Sequence, residues 1–383
     1  MLYDDVAQDP ENPFPGTLFN WPTQAGSFPV DVYEHCAKDY TGNDVTAANL
    51  LAVLQGAPTS TGGPTLSRVT DNDKVLINFV DHGAAGLVAM PVGDYLYADQ
   101  LLSALANATF GEMVFYLEAC ESGSMFESLP SDTSIYGLTA ANAEESSWGC
   151  YCPPGDTING TSLGTCLGDQ FSVAWMEDID DPSEPARIKE TLQAQYQTLV
   201  LEVNMSHPSQ FGDPSFRRSE AVGAFFSNWW AGSAGDNSNV SRFAAGGDGA
   251  SSKGGAFYPS PAASPVASAR RASLLSLETR AARGSARAAA LLQAELAAVA
   301  RTERALARLV GGNDALAREA AAPLVAGFAQ YDCYRAAVAA FEAACGRFTD
   351  ATLGYAKLLA RQCALAGGDA AAVTGRVAAA CGA

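Results

Sequence analysis

The chain has 383 residues, 48% of them apolar and 17% charged, with a formal net charge of −19 at pH 7. That length exceeds one ordinary domain. No run of 18 apolar residues occurs, which excludes a membrane-spanning helix, and no basic stripe interleaved with aromatic residues is present, which argues against nucleic acid as a partner.

The first chemical signal lies between residues 74 and 124. Val75 to Val80 and Met113 to Leu117 are dense in β-branched and aromatic residues, which predicts strands buried on both faces of a parallel sheet. Each run stops at a reactive side chain, His82 in Asp81-His82-Gly83 and Cys120 in Ala119-Cys120-Glu121-Ser122-Gly123-Ser124. In open α/β sheets chemistry gathers at the carboxyl ends of the strands. A His and a Cys delivered to one sheet edge form a thiol nucleophile beside its base. Taken singly, a Cys is usually a small buried hydrophobe and a His a satisfied polar residue. The small polar residues after Cys120, and Gly83, which permits close backbone approach to a substrate, favour the catalytic reading.

Further along, Cys152 and Cys166 flank a Pro/Gly/Thr loop that a disulfide between them would close. From Ala231 to Ser268 the text is rich in Gly, Ser and Pro without hydrophobic period, the composition of a linker. Residues 269–310 are Ala/Leu/Arg-rich, with Leu291, Leu292, Leu296 and Val299 at helical spacing, and Gly311-Gly312 breaks the helix. Residues 314–380 read as a compact helical module holding Cys333, Cys345, Cys363 and Cys381. No CxxC or His pairing accompanies these cysteines, so two disulfides are expected rather than zinc, and neither a metal nor a cofactor is called for. Cys36 and Cys150 are left as buried free thiols. Sequons at Asn107, Asn159, Asn204 and Asn239 agree with a secretory route and an oxidising compartment.

Charge divides sharply along the chain. Residues 1–240 carry 7 Lys and Arg against 32 Asp and Glu, whereas residues 241–383 carry 16 against 10. A basic C-terminal part beside a very acidic N-terminal part predicts electrostatic docking of one on the other.

Several segments together resemble the legumains, also called vacuolar processing enzymes or asparaginyl endopeptidases: MLYDDVAQDPENPFPG, KDYTGNDVT, DHG, VFYLEACESGSM, TAANAEESSWGCYC and CLGDQFSVAWMED. The SSWGCYC and CLGD segments look plant-like or algal. The resemblance implies an α/β fold, a caspase-like, mainly parallel sheet flanked by helices over residues 1–230, a linker and activation region over 231–268, and an all-α autoinhibitory prodomain over 269–383. It implies a cysteine endopeptidase zymogen that cleaves after Asn, and after Asp in acid, with His82 as base, Cys120 as nucleophile, and the Gly83 and Cys120 amides as oxyanion donors. The substrate pocket maps onto Glu118, Ser146, Ser147 and Asp169. On residues alone, Asp169 would read as a helix N-cap and Ser146-Ser147 as a turn. The implied prodomain disulfides are Cys333–Cys363 and Cys345–Cys381, and plant-type members close the 152–166 loop as a third. The implied partners are peptides or proteins with exposed Asn or Asp and the chain's own prodomain. The implied site of action is a vacuole or a lysosome-like compartment.

The resemblance also has a gap. No basic-then-apolar leader stands at Met1, and the family carries, before the MLYDD-like segment, a strand and helix that supply an Asn orienting the His and an Arg gripping the substrate carboxamide. This predicts weak turnover by the chain as written, with Glu118 and Asp169 facing each other without a cation. A non-catalytic legumain-like binding protein and a peptide ligase are the competing functions; the catalytic subunit of the GPI transamidase resembles the His and Cys regions but lacks the EACESGS context. Acidification is expected to release the prodomain by protonating carboxylates that Arg partners hold at depressed pKa, with cleavage near Asp236, Asn237, Asn239, Asp248 or Asn313.

Overall fold

The computed structural model describes residues 6–10, 12–23, 31–33, 37–180, 189–226, 263–324 and 327–382. Helix α1 (Ala47–Leu54) begins where Thr46 Oγ1 accepts the Asn49 amide at 3.2 Å, a side-chain cap for an otherwise unpaired donor. Strand β1 (Lys74–Val80) leads into a short antiparallel meander, β2 (Gly83–Ala84), β3 (Leu87–Val88) and β4 (Leu96–Tyr97), and then into α2 (Ala98–Ala106). Strands β5 (Glu112–Glu118), β6 (Ile135–Thr139) and β7 (Trp148–Cys150), the hairpin β8 (Thr157–Ile158) and β9 (Thr161–Ser162), and β10 (Gly168–Asp169) follow. Helices α3 (Gln170–Asp180) and α4 (Leu192–Glu202) and strand β11 (Ser209–Gly212) complete the first part.

The main sheet has the order β1-β5-β6-β11, with the first three strands parallel and β11 antiparallel. Strand β5 is interior, and Met113 to Glu118 are all buried. Side chains alternate between faces of a strand. Met113, Phe115 and Leu117 therefore enter one core with Leu50, Leu54, Leu101 and Leu105 of α1 and α2, while Val114 and Tyr116 enter another with Phe171, Trp175 and Leu199 of α3 and α4. The result is the expected three-layer, mainly parallel α/β arrangement. In the second core Tyr116 Oη donates to Gln195 at 2.5 Å and Gln195 donates to Asp178 at 3.2 Å, a buried chain that pairs these three side chains.

Strand β1 departs from expectation. Among the described residues it pairs on one side only, with β5, and its side chains are mostly half-buried or exposed, Val80 at 48%. Its apolar composition matches that of β5, but composition does not say whether a strand is interior or at an edge.

The C-terminal part is helical: β12 (Ala267–Ser268), then α5 (Ala269–Ala282), α6 (Ala286–Val310), α7 (Asn313–Ala321), α8 (Tyr331–Cys345), α9 (Ala356–Leu365) and α10 (Ala370–Gly382). Gly311 at φ 97° and Gly312 at φ 122° end α6 as expected, in a conformation that costs glycine little. Leu291 and Leu296 are 43% and 44% exposed, so the helical spacing noted there marks no core face. Cys333–Cys363, Cys345–Cys381 and Cys152–Cys166 are all bonded, and Cys150 is a buried free thiol. Cys36 and Asn239 lie outside the described residues, as does most of the expected linker.

The two parts share one apolar cluster. Ala84, Leu87, Tyr95 and Tyr97 of the meander pack with Tyr334, Phe341, Leu353 and Leu359 of the helical module, and Tyr334 Oη donates to the Ala85 carbonyl at 3.2 Å. Charge adds to this: Arg335 Nη1 bonds both carboxylate oxygens of Asp99 at 2.7 and 2.9 Å. Docking thus combines the anticipated opposite charges with an apolar contact that the charge pattern did not foretell.

Deleting the Phe115 ring should cost about 3–5 kcal/mol, the usual penalty for a fully buried aromatic, whereas Val80→Ala at the exposed edge should stay within about 0.5 kcal/mol. Denaturant midpoints of the two variants test this; similar losses would mean that β1 is covered in solution.

Candidate active site

Strands β1 and β5 are paired in register from Lys74↔Glu112 to Val80↔Glu118. His82 and Cys120 each stand two residues past the last pair, so the parallel register carries both to the same end of the sheet. The Asp81 amide donates to the Glu118 carbonyl at 3.2 Å and extends the ladder to the edge of the site. Gly83 packs directly on the Cys120 carbonyl, where a Cβ would collide. The glycine of Asp-His-Gly is therefore required by contact with the Cys120 backbone, a role beyond the substrate approach inferred from sequence.

The turn after Cys120 is held from several sides. Glu121 adopts φ 49°, a left-handed conformation uncommon for a residue with a side chain. Its amide donates to the Glu145 carbonyl at 2.7 Å. Ser122 Oγ accepts the Ala141 amide at 3.1 Å, and Ser124 Oγ donates to the Glu121 carbonyl at 2.6 Å while accepting the Gly86 amide at 2.8 Å. The last bond ties the nucleophile turn to the loop that follows His82.

Cys120 is buried, and its sulfur lies 3.7 Å from Ser147 Oγ. Burial pushes its thiol pKa up, and the nearby Arg270 charge pulls it part of the way back. His82 is partly exposed, and its Nε2 stands 3.5 Å from Asp350 Oδ2 of the helical module. In this structure burial favours the protonated thiol, and the imidazole faces an acidic residue of the helical module.

The four expected pocket residues lie around the same edge. Glu118 is buried; its Oε2 accepts the Ser172 amide at 2.8 Å and the Ser172 hydroxyl at 2.9 Å, near the start of α3. Its Oε1 is buried with no hydrogen-bond partner among the described residues. Glu118 thus also caps α3, a role that sequence assigned to Asp169 as the alternative to substrate binding. Asp169 stands in β10 opposite Gly149. Burial, with repulsion from Asp169 second, raises the Glu118 carboxyl well above its usual range; burial likewise pushes Asp169 up to about 6, against the pull of His82. The expected unfavourable facing of two carboxylates is reproduced in direction. Ser146 Oγ accepts from Arg270 Nε at 3.2 Å, and Ser147 Oγ touches the Cys120 sulfur.

Three groups at the site had escaped the sequence reading: Glu121, Arg270 and Asp350. Arg270, at the start of α5, makes an ion pair with Glu121, both side chains being largely buried, and its guanidinium packs on Gly354. The Arg-Arg pair opening the basic half was the available signal. The depressed carboxylate expected at such a contact is not found: burial outweighs the Arg270 and Lys357 charges and pushes Glu121 up to about 7. Against a solvated glutamate near 4.5, a raised carboxyl binds its proton more readily in the closed form, so acidification through that range favours closure at this group. Glu121 therefore does not supply the anticipated acid release. Among the described residues no cluster of three or more metal-ligating side chains occurs.

Comparison with known proteins agrees with this geometry. Over 234 residues the chain is 44% identical to a vacuolar-processing enzyme of Vicia sativa, covering 57% of this chain and 45% of that protein. It is 41% identical over 232 residues to the vacuolar-processing enzyme beta-isozyme of Arabidopsis thaliana and 42% identical over 222 residues to the legumain of Mus musculus, covering 46% and 47% of their lengths. The chain thus spans about half the length of the curated relatives it matches. The family model for Peptidase C13 matches residues 1–228, the stretch that carries β1, β5, His82 and Cys120, and the chain belongs to the Peptidase C13 family.

Proposed function

We propose that the chain is a cysteine endopeptidase zymogen that hydrolyses peptide bonds after Asn, and after Asp in acid. The carrying observation is the matched height of His82 and Cys120 beyond the in-register strands β1 and β5. In this reading residues 1–230 are the peptidase, 231–268 the segment cut on activation, and 269–383 the cover. Cys120 as thiolate attacks the scissile carbonyl carbon, and His82 first takes the thiol proton, then gives it to the departing amine. Water, with His82 again as base, hydrolyses the acyl-enzyme. The Gly83 and Cys120 amides are assigned to the developing oxyanion. Lowering of the Cys120 pKa by a protonated His82 belongs to the uncovered form. Three disulfides and the exposed sequon residues Asn107, Asn159 and Asn204 support an oxidising, secretory-route compartment, a vacuole or lysosome.

The pocket chemistry supports amide recognition. A side-chain amide offers one acceptor and two donors, so its site needs both kinds of group. Glu118 and Asp169 sharing a proton present a hydroxyl for the amide oxygen and carboxylate oxygens for its NH₂; fully ionised, they present no donor. A protonated substrate Asp offers a carbonyl acceptor and one hydroxyl donor, enough to engage both members of the pair.

On an Asn-containing peptide, with the cover removed, Cys120→Ala should abolish turnover and His82→Ala should lower kcat by about 10²–10⁴-fold; cleavage that persists in Cys120→Ala would overturn the mechanism. Because burial pushes Asp169 up to about 6 and raises Glu118 well above its usual range, both carboxyls gain protons as the pH falls, and kcat/KM for the Asn peptide should decline as the pH rises through 6. Asp169→Asn should flatten that decline; an unaltered profile would remove the pair from recognition.

Full-length protein held at pH 4 should be processed faster than at pH 7, with new termini after Asp236, Asn237, Asn239, Asp248 or Asn313, as mapped by mass spectrometry. The pocket rather than an ion pair to the cover is the assigned source of this dependence, so Arg335→Ala should leave its shape unchanged.

A further inference from the structure

The ladder between β6 and β11 stops at Thr139↔Ser209. Beyond that pair the two segments separate, and side chains make the bonds that a longer ladder would have made. Ser206 Oγ donates to the Ala140 carbonyl at 2.7 Å, and Thr139 Oγ1 to the Ala141 carbonyl at 2.9 Å. Glu145 spans the remaining gap. Its Oε1 accepts the Asn142 amide at 2.9 Å and the His207 amide at 2.8 Å, and His207 Nδ1 lies 2.8 Å from its Oε2. Bonds to an ionised acceptor are stronger than neutral ones. Asn142 Oδ1 in turn accepts the Glu144 amide at 2.9 Å, so residues 142–145 form a tight loop that the Glu145 side chain closes.

The turn that leaves Cys120 rests on this loop. The Glu145 carbonyl accepts the Glu121 amide at 2.7 Å, and the Ala141 carbonyl accepts the Gly123 amide at 3.1 Å and Ser122 Oγ at 3.2 Å. The approach is close enough that a Cβ on Gly123 would stand 2.9 Å from the Ala143 nitrogen and from the Asn142 carbonyl carbon. Of these bonds, the one from Glu121 has the most to hold. Glu121 sits at φ 49°, a conformation that persists only where its surroundings enforce it. The loop then runs directly into Ser146 and Ser147, and Ser147 Oγ lies 3.7 Å from the Cys120 sulfur.

We infer that Glu145 is a positioning residue for the attack by Cys120. Its carboxylate closes loop 141–145, the loop holds Glu121 left-handed, and the turn so held fixes the Cys120 amide and sulfur at the end of β5. This rests on the endopeptidase reading above and adds a residue to its machinery. The hydrogen bonds of the Glu145 carboxylate go to Asn142 and His207, so it acts through the turn and not on the substrate. What the site requires is an acceptor of two backbone N–H groups at a fixed reach. Glutamine has the same length and a carbonyl oxygen, and can supply it; aspartate is one methylene too short, and alanine has no acceptor. An oxyanion donor stabilises the transition state only when aimed at the developing charge, so a displaced turn lowers kcat more than it raises KM.

The test compares full-length wild type, Glu145→Gln, Glu145→Asp and Glu145→Ala on an Asn peptide after incubation at pH 5, with rates divided by the fraction of chain processed. Glu145→Ala and Glu145→Asp should lose about 10-fold or more in kcat with KM changed by less than about threefold, and Glu145→Gln should stay within about twofold of wild type. Equal kcat in all four, or a loss in Glu145→Gln as large as in Glu145→Ala, would overturn the assignment and leave the peptidase reading standing. Wild type that leaves the peptide uncut would remove both. A second measurement needs neither turnover nor processing. Amide hydrogen exchange of the full-length protein at neutral pH should quicken several-fold over residues 121–124 in Glu145→Ala, together with Asn142 and His207, while β1 and β5 keep wild-type rates. Unchanged exchange over 121–124, or faster exchange throughout β1 and β5, would overturn the positioning role.

Discussion

Seven residues of β1 lie in parallel register against seven of β5, and the remainder of the site follows from that pairing. Parallel neighbours cannot be joined by a tight turn, so the chain travels through the meander and α2 before β5 begins. A slip of one residue would send every side chain of a strand to the opposite face. Val75 and Ile77 of β1 enter the same core as Met113, Phe115 and Leu117, which penalises any slip. Once the register is set, Asp81 continues the ladder, Gly83 closes against the Cys120 carbonyl, and Ser124 links the nucleophile turn to Gly86.

Burial rather than net charge governs the ionisation of this edge. Glu118, Asp169, Cys120 and Glu121 all have raised pKa values, and in each case desolvation is the largest cause. Opposite charges are present at Glu121, where Arg270 and Lys357 both pull downward, and they lose to the low-dielectric surroundings. A sequence-level charge imbalance describes long-range attraction between two parts of a chain. It does not describe the local protonation of groups that the resulting contact takes out of water.

The helical module is held to the α/β part by two different forces. Tyr334, Phe341 and Leu359 bury apolar area with Leu87, Tyr95 and Tyr97, an interaction that salt leaves largely intact. The Arg335–Asp99 pair is 28% and 36% exposed at its side chains, so solvent screens it and it contributes little beyond about 1 kcal/mol. The apolar contact therefore carries most of the adhesion, and the charged pairs set orientation.

Much of this was legible in the chain. The runs ending at His82 and Cys120, the Gly311-Gly312 break and the spacing of the C-terminal cysteines are local patterns, and local patterns follow from short-range sterics and hydrophobic period. Resemblance to a known family added the disulfide pairing that the structure shows and pointed to Glu118, Ser146, Ser147 and Asp169 as candidates for a substrate pocket. The edge position of β1 escaped, because Ile77 and Phe79 look the same in sequence whether or not a neighbour covers them. The helical spacing of Leu291 and Leu296 is borne out by α6, yet both are exposed, because spacing marks a face without saying that anything packs on it. By itself, then, the sequence determined the strands, the helix breaks and the placing of His82 and Cys120 just beyond two strands. Only the tertiary structure decided that the Ala269 amide meets the Ser147 carbonyl, that Arg270 meets Glu121 and that Asp350 meets His82. Those groups are separated by between 122 and 268 positions along the chain, and nothing local in a sequence encodes which distant groups the fold brings within reach.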